Sequence, residues 1–591
     1  MIDEALEVFK KIYDKEGEEL VVNKNIPKDG TYILVNIKSG KIIEKLNIFY
    51  DKKTKDIEGK YNQYYDYIRA FDYYSNIIGT NKALDLPRKK IHSNQLYSFF
   101  VKKETILKED LKESVIKYKK NALNPEKRYK GKDMEIYKNI ENDLLPIDKE
   151  TGEKIFSWIE DNITKPLILE KSEEYLEKFF IKIEKDKNED YLKIFFVEDD
   201  LDKSLELFRN EYKRYLIPNI YNKNDYNQKI ENKIYGLPNT NMTLNSDKPF
   251  LENKTRKIGI PYLVDIEEIL LQYVFYNYLI PELKQGNNFI YFSDDKIIPK
   301  TNKEPCPSEA KYLLNASYSK NIDIKNFNII SKNSSKKREI NFKEILPEKN
   351  NNSKIEYGNL DKVMVMELVD KFFFNSLLLG NIFNDAEDIK VRQVELKKLL
   401  INYKNGLYKW FYLRDELEIK KSIKKLYLDS IIVNIKTEYD KVSINNQFNL
   451  GFCLEVYFYG KSELMEEIMN VKEVFLNHTL SEEDWNLSND DEYFWAVGQI
   501  LSYINSKRNT KNKNLDFIVP ILSIKSINIL KERVFNIIKS YAHLINSKKV
   551  SRTISNINIY EPKEIKKFIL LAGFTADRAL YSSSKNKEEE E

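Results

Sequence analysis

The sequence predicts an α+β fold, with a mixed α/β N-terminal half that carries β-hairpins and a mostly helical second half that ends in a C-terminal helical bundle. Apolar and polar residues alternate over Thr31–Phe49 and the alternation breaks at Ser39-Gly40, which is typical of a hairpin. From about Leu360 onward the apolar spacing is almost all helical. The length of 591 residues exceeds a single core and predicts several domains.

Further β signals lie in the N-terminal half. The apolar run Lys193–Glu198 predicts a strand, and Asn288–Lys300 predicts a weaker β element. The acidic residues of Glu198–Asp202 are interpreted as a solvated helix start, because carboxylates suit a helix N-terminus. The first half is therefore predicted to mix helices and strands.

The helical half has a clear period. Two stretches have amphipathic spacing: Ile527, Leu530, Val534, Ile537, Tyr541 and Leu544, and Phe494, Val497, Leu501 and Ile504. Candidate N-caps of the stretch that begins at Phe494 are Ser488, Asn489 and Asp490. The spacing of three and four residues in both stretches predicts packed helices, and hence the C-terminal bundle.

Polar stretches mark the candidate domain boundaries. They are Lys119–Lys132, Ser331–Ser353 and the region of Gly460–Met469. The predicted segments are a mixed α/β domain over 1–250, an α+β region over 251–360, a helical region over 361–464 and a helical bundle over 465–591.

Composition excludes several classes of protein. The chain contains 97 Lys and Arg residues and 93 Asp and Glu residues, so the total charge is nearly balanced and only a local excess of positive charge indicates a nucleic-acid surface. The only cysteines, Cys306 and Cys453, form no C-x-x-C pair, which excludes a disulfide scaffold and favours a cytoplasmic protein. The acidic N-terminus lacks the features of a signal peptide, and the apolar run Ile269–Ile280 is too short to cross a bilayer.

The residues of common catalytic sites are sparse. The three histidines, His92, His478 and His543, are far apart in sequence, so neither a metal site nor a cofactor is predicted. Ser293-Asp294-Asp295 could offer two carboxylates to a metal, but adjacent residues on a strand point to opposite faces, and a hairpin turn is the favoured interpretation. A non-enzyme is predicted, and a nucleic-acid-processing enzyme with a carboxylate metal site remains an alternative.

One local excess of positive charge lies in Leu86–Lys132, with 14 Lys and Arg against 5 Asp and Glu. Its first part, LPRKKIHSNQLYSFFVKK, interleaves cations, amides and aromatic residues, which suits contact with phosphates and stacking on bases. The alternative is an amphipathic connector in which Tyr97, Phe99 and Phe100 belong to the core and the lysines face water.

A second polar stretch, NTNMTLNSDKPFLENKTRK (Asn239–Lys257), contains four asparagines, a Lys-Pro step and a closing group of cations. Asparagine carries both a donor and an acceptor and can read base edges in the minor groove. The alternative is that these asparagines cap helices or close turns.

Two segments resemble the large subunit of type I-B CRISPR interference (Cascade) complexes. They are FDYYSNIIGTNKALDLPRKKIHSNQLYSFFVKK and NMTLNSDKP…TRKIGIPYLVDIEE (Asn241–Glu268). The N-terminal hairpin, the chain length and the helical C-terminal end are also similar to that family. The sequence departs from the family pattern at Gln95 and at Asp247.

The resemblance implies a non-catalytic subunit of an RNA-guided surveillance complex. Such a subunit recognises the short duplex motif beside the target (the PAM), stabilises the R-loop and helps to recruit the helicase-nuclease. The implied partners are CRISPR RNA, target double-stranded DNA, the backbone, guide-end cap and small subunits, and the helicase-nuclease, with no membrane. A purely structural assembly protein is a further alternative.

The implied sites fall in three groups. The PAM and its phosphates are assigned to Asn241, Asn245, Lys248, Lys254, Arg256 and Lys257. Contact with guide RNA or another subunit is assigned to Lys89, Lys90, His92 and Asn94. The C-terminal bundle resembles the separate small subunit, and tracking of single-stranded DNA is assigned to Lys507, Arg508, Lys511, Lys513, Lys548, Lys549 and Arg552. For the loop beginning at Lys507, the alternative is that its cations only complement a helix dipole.

Met465 and Met469 precede a segment whose size suffices for independent folding. In the family that this chain resembles, the small subunit can be made from an internal start. The resemblance therefore implies a second product that begins at one of these methionines.

Overall fold

The computed structural model describes residues 3–581 apart from 52, 55, 107–110, 166–189, 223, 232, 239–262, 320, 331–339, 348–356, 438–443, 482, 509–516 and 546. The predicted α+β fold class is confirmed, with a mixed sheet in the N-terminal half and helices in the C-terminal half. The chain separates into two compact units. Unit 1 comprises Met1–Thr301 and Tyr312–Phe327, and unit 2 comprises Asn302–Lys311 and Asn328–Glu591.

Where the sequence suggests four segments, the structure thus separates two units, and the division falls inside the predicted 251–360 segment. The polar stretch Lys119–Lys132 lies within unit 1, where it joins two helices. The region of Gly460–Met469 lies within unit 2 and includes the start of a helix.

Unit 1 combines helices with two main sheets. Its helices are α1 (Asp3–Glu16), α2 (Glu19–Val22), α3 (Tyr65–Ser75), α4 (Lys103–Ile106), α5 (Leu111–Leu123), α6 (Lys132–Glu141), α7 (Lys149–Ile159), α8 (Leu201–Asn219) and α9 (Ile266–Lys284). Its strands are β1 (Gly30–Asn36), β2 (Ile42–Asp51), β3 (Asp56–Glu58), β4 (Ser98–Lys102), β5 (Tyr191–Val197), β6 (Gln228–Ile230), β7 (Lys233–Tyr235), β8 (Phe289–Phe292), β9 (Ile297–Lys300), β10 (Tyr312–Tyr318) and β11 (Ile322–Ile329).

The larger sheet has the strand order β3-β2-β1-β5-β4. β1 and β2 form the predicted antiparallel hairpin, and β1 pairs in parallel with β5, with Ile33 opposite Ile194. Every residue of β1 and β5 is buried, and the centres of both strands, residues 32–35 and 194–197, are continuous apolar runs, so the alternation expected over Thr31–Phe49 is absent from β1. Thr31 and Asn36 are polar residues near the ends of β1, and Lys193, in the middle of β5, is the one charged residue of the two strands.

The smaller sheet of unit 1 has the order β11-β10-β8-β9. β8 and β9 form a hairpin whose turn is closed by the Ser293 N–H, which donates to the Lys296 carbonyl over 2.9 Å. The side chain of Ser293 also lies 3.3 Å from a carboxylate oxygen of Asp295. The hairpin interpretation of this acidic stretch is confirmed.

Unit 2 is mostly helical. Its strands are β12 (Ile340–Phe342) and β13 (Gly358–Leu360), which pair antiparallel. Its helices are α10 (Lys362–Phe374), α11 (Leu378–Asn381), α12 (Val394–Leu413), α13 (Leu417–Thr437), α14 (Ile444–Tyr459), α15 (Glu463–Leu480), α16 (Asp490–Lys507), α17 (Val519–Leu522), α18 (Ile527–Ser540), α19 (Lys548–Ile559) and α20 (Lys567–Thr575).

Helix α16 is central to the C-terminal part of unit 2 and buries residues on all its sides. Asn489 caps it as predicted, since its side chain accepts the Glu492 N–H over 2.9 Å. Gly498 allows the backbones of α16 and α20 to touch, because a Cβ there would lie 2.2 Å from the Leu570 carbonyl oxygen.

The amphipathic stretch that begins at Ile527 is helical only in part. α18 ends at Ser540; Tyr541 lies in the following turn, and Leu544 ends a short 3-10 helix, Ala542–Leu544. Leu530 and Val534 are buried as predicted, but Ile538 rather than Ile537 completes the buried face. The period of 3.6 residues per turn places the next contact at either position, and packing selects one of them.

Candidate nucleic-acid interface

Five basic side chains of unit 1, here called the basic cluster, come together at one end of the larger sheet. Its members are Lys28, His92, Lys102, Lys193 and Lys284. Lys28 lies in the loop before β1 and His92 in the loop before β4. Lys102 ends β4, Lys193 lies in the middle of β5, and Lys284 ends α9. Of the four residues assigned to guide or subunit contact, only His92 belongs to it.

Lys193 forms the floor of the basic cluster. It is 1% exposed and makes a buried ion pair with Asp72 of α3. Its ammonium also lies 4.5 Å from the centroid of the Phe100 ring. Asn25 and Asn76 donate to the second oxygen of Asp72, each over 3.2 Å, so this carboxylate is held from three sides. A buried charge of this kind is tolerated only when it is paired and hydrogen-bonded.

His92 is held by the strands beside it. Its backbone N–H donates to the Phe100 carbonyl over 2.8 Å, and its Nδ1 lies 2.9 Å from the Tyr191 hydroxyl. Burial, followed by the positive charge of Lys28, lowers the pKa of His92 below its ordinary value. The imidazole is therefore neutral at neutral pH and gains its charge only on acidification.

The lysines at the rim of the basic cluster repel one another. Lys28 and Lys284 have exposed side chains, and Lys102 is partly exposed. Desolvation by the surrounding protein is the main cause that lowers the pKa of Lys28 and of Lys284. Lys28 adds to this effect on Lys284. Lys102 adds to it on Lys28, where the negative charge of Asp72 opposes it more strongly than Lys102 adds to it. The Lys28 ammonium lies 5.2 Å from the centroid of the Tyr191 ring. An anion placed among these groups would relieve the repulsion.

Several acidic residues near the basic cluster in sequence already have partners. Asp29, beside Lys28, accepts the Tyr50 N–H over 2.8 Å. Glu282 pairs with Lys24, and Asp190 lies 3.7 Å from the Lys103 ammonium. Within the part of the chain that the structure describes, no carboxylate makes an ion pair with any of the three rim lysines, Lys28, Lys102 and Lys284. Asp72 balances one of the four lysines, so the basic cluster keeps a positive charge that suits phosphate.

Lys89 and Lys90 lie in a turn next to the basic cluster. The Oδ2 atom of buried Asp85 accepts the N–H groups of Lys90 and Ile91 over 2.7 and 3.2 Å. Lys89 adopts a left-handed backbone with φ of 58° and has an exposed side chain. The turn thus presents Lys89 to solvent, where a partner can reach it.

Asn94 has a different environment from that of the other three assigned residues. It is 3% exposed, and its amide donates to the carbonyls of Tyr74 and Asn76 over 3.0 and 2.9 Å. Neighbouring Gln95 is equally buried and also donates to the Tyr74 carbonyl. These amides hold the end of α3, so the contact predicted for Asn94 has no exposed side chain to make it.

The aromatic residues of the same run are core residues. Tyr97, Phe99 and Phe100 are at most 4% exposed. The alternative interpretation is therefore correct for the aromatic residues, which do not form an open stacking surface. The exposed and partly exposed cations of this run lie in the turn before β4 and at its end, whereas Phe99 and Phe100 lie inside the buried strand.

The group assigned to the PAM and its phosphates lies outside the described residues. Its members are Asn241, Asn245, Lys248, Lys254, Arg256 and Lys257, and Lys511 and Lys513 of the C-terminal group also lie outside them. Their assignments stay predictions.

The remaining C-terminal cations have local contacts. The Lys507 ammonium lies 5.6 Å from the centroid of the Tyr581 ring, and the Arg508 guanidinium lies 4.8 Å from that of Phe517. Arg552 lies 3.6 Å from an Asp484 carboxylate oxygen and donates to backbone carbonyls.

The helix dipole acts differently on these cations. Lys507 is in the last turn of α16, where the dipole favours a cation. Lys548 and Lys549 begin α19, where the dipole disfavours one. The dipole alternative therefore suits Lys507 but not the two lysines of α19.

The proposed start methionines both lie in α15. The Met465 N–H is capped by the Ser462 hydroxyl oxygen over 3.3 Å, and Met469 is 48% exposed. A product beginning at Met465 would lack this cap. Asn445 of α14 donates to the Thr575 carbonyl over 3.2 Å, so the segment 465–591 also has contacts with the helices that precede it.

No family model, curated protein or solved structure matches this chain. Among the described residues, no helix has both the length and the hydropathy needed to span a bilayer. The basic cluster is the site to which the sequence and the structure both point, and only part of it was predicted. The missed signal was a lysine inside a continuous apolar strand, YLKIFFV (Tyr191–Val197).

Proposed function

We propose that this chain is the non-catalytic large subunit of a type I-B CRISPR RNA-guided surveillance complex. In this proposal it recognises the PAM on target duplex DNA, stabilises the R-loop and helps to recruit the helicase-nuclease. The proposal rests on the resemblance of the two segments described above. What supports it physically is the basic cluster, because His92 of the KKIHSNQ run lies among lysines from four other parts of the chain.

Two surfaces of the chain have different roles in this proposal. The basic cluster and the Lys89 turn contact the guide RNA or the adjoining subunit. The Asn241–Lys257 stretch contacts the duplex motif, with Asn245 at a base edge and Arg256 at a phosphate. Reading of the target sequence itself is left to base pairing with the guide.

Co-expression with the neighbouring genes tests the assembly. The expected product is a particle that holds a discrete small RNA and absorbs strongly at ~260 nm, as a nucleic-acid complex should. A clean, RNA-free monomer would count against the proposal. Metal-dependent DNA cleavage by the isolated chain, lost in Asp295→Asn, would instead favour the enzyme alternative.

Asn245→Ala tests the duplex contact within that particle. A lost base contact is expected to weaken binding of a PAM-containing duplex by about 1–3 kcal/mol at fixed salt. The matched control is Asn142→Ala, which removes an exposed amide at the end of α6. Equal affinities of the two variants would remove Asn245 from the PAM site.

A further inference from the structure

We propose that unit 1 has a second binding site, for a small organic cation with an apolar body. The site is a cleft of about 640 Å³ formed by α1, α3, α8 and α9, here called the acidic cleft. Pockets for small molecules commonly measure about 300–1,000 Å³. The inference rests on the geometry of unit 1 alone and is independent of the proposed function.

The walls of the acidic cleft are aromatic and aliphatic. Tyr13, Tyr73 and Tyr212 contribute rings from three different helices, and Leu271 and Val274 line the side formed by α9. The Tyr73 and Tyr212 ring centroids are 5.9 Å apart. The face of an aromatic ring attracts a cation, and tyrosine-lined pockets suit ammonium groups for that reason.

The residues around this cleft are mostly acidic. Five carboxylates line it against two lysines: the carboxylates belong to Asp14, Glu18, Asp265, Glu267 and Glu268, and the lysines are Lys10 and Lys213. This sign is opposite to that of the basic cluster in the same unit. The charge of the lining therefore favours a cationic ligand and disfavours a phosphate.

The titratable groups of the cleft respond to this negative charge. Burial, then Glu18 and Asp14, raise the pKa of Tyr13 to about 12. Burial and the adjacent Asp265 raise the pKa of Glu268. Burial is the largest cause of both shifts and the neighbouring carboxylates add to it, so a bound cation would oppose only the part of each shift that is due to charge.

Part of the acidic lining is already held by the fold. Glu18 accepts from the Tyr74 hydroxyl over 2.5 Å, and Asp265 lies 3.4 Å from the Lys233 ammonium. Asp14 has an exposed side chain at the rim. The tyrosine rings would hold the apolar body and the ammonium, while the rim carboxylates supply the attraction at longer range.

Isothermal titration of the nucleic-acid-free full chain tests the site. The probes are choline and its neutral isostere, in which a quaternary carbon replaces the nitrogen. Choline is expected to bind about tenfold tighter or more, because only the charge differs between the two probes. Equal binding of both probes, or binding of neither, would overturn the proposal.

Variants locate the site. Asp14→Asn and Glu268→Gln are expected to weaken choline binding several-fold, and Lys10→Gln to strengthen it. The matched control is Glu7→Gln, an exposed acid on α1 outside the cleft, which should leave binding unchanged. An equal loss in Glu7→Gln and Asp14→Asn would reduce the effect to overall charge and overturn the assignment.

A basic side chain of a protein partner is the competing occupant. Titration with a short lysine-rich peptide distinguishes the two. Peptide binding that Asp14→Asn weakens, together with no choline binding, would overturn the small-molecule proposal in favour of a partner. Melting temperatures of all variants, expected within about 2 °C of the parent because the substituted side chains are exposed or partly exposed, exclude misfolding as the cause.

Discussion

The two groups of cations in this chain differ in how the fold arranges them. The C-terminal ones are dense in the sequence, yet Lys507 and Arg508 lie against aromatic rings and Arg552 lies beside a carboxylate and carbonyls. The basic cluster is spread over more than 250 residues of sequence, from Lys28 to Lys284, yet its members lower one another's pKa values. Density in the sequence and convergence in space are therefore different properties, and only convergence concentrates charge on one surface.

The largest expected effect concerns the floor of the basic cluster. Lys193→Met leaves Asp72 buried without its counter-charge, and the free energy of unfolding should fall by about 3–5 kcal/mol. Denaturant titration measures this loss. In the double variant Lys193→Met/Asp72→Asn both charges are gone, and most of the stability should return. A loss below about 1 kcal/mol in the single variant would contradict the structural importance of the pair.

Charge reversal at the rim of the basic cluster tests whether the convergence of its lysines in space matters for RNA binding. Lys28→Glu/Lys284→Glu should weaken binding of a short single-stranded RNA on the order of tenfold and reduce the salt slope by about 1.4, that is, about 0.7 per lost phosphate contact on a single strand. The matched variant is Lys424→Glu/Lys425→Glu, which changes the net charge equally at two exposed lysines of α13. Filter binding across a salt series compares them. Equal losses would mean that overall charge, rather than the basic cluster, governs RNA binding.

A third prediction concerns the exposed turn beside the basic cluster. If the turn contacts the RNA or a neighbouring subunit as proposed, Lys89→Glu/Lys90→Glu should lower the fraction of this subunit retained in the assembled particle. Quantitative gel analysis of the purified particle gives the stoichiometry. The control is Lys397→Glu/Lys398→Glu on α12. Retention at normal stoichiometry in both variants would rule out the contact.

The smallest expected effect is a pH dependence of RNA binding. The pKa of His92 is lowered by burial and by Lys28, so acidification adds a positive charge to the basic cluster. RNA affinity should rise a few-fold between about pH 7.5 and about pH 5.5, and His92→Gln should remove this rise. An unchanged pH profile in His92→Gln would exclude the histidine from the site.

Protonation of His92 should raise RNA affinity but lower the stability of the fold. Because the folded pKa lies below the unfolded one, the unfolded chain binds more protons within that interval. The contribution of His92 to stability is therefore present above its ordinary pKa and is lost as the pH falls toward the folded value. Thermal unfolding of wild type and His92→Gln across the same pH range separates this loss from the gain in RNA affinity.

Local patterns predicted the local structure. The hairpin of β1 and β2, the turn after β8 and the cap at Asn489 depend on neighbouring residues, and each is confirmed. The same patterns could not show that Asn94 is buried under α3 or that Ile538 rather than Ile537 faces the core. Both depend on contacts with residues distant in the sequence.

The sequence by itself determined the α+β class, the helical second half and the positive charge of the Leu86–Lys132 segment. Only the tertiary structure decided which cations of this segment lie close to cations from other parts of the chain. A lysine in an apolar strand, Lys193, becomes the floor of a charged surface because parallel pairing with β1 and packing of α3 bring Asp72 and Lys28 to it. Charge is a property of each residue, whereas the field it produces depends on distance, and distances between remote residues exist only once the chain has folded.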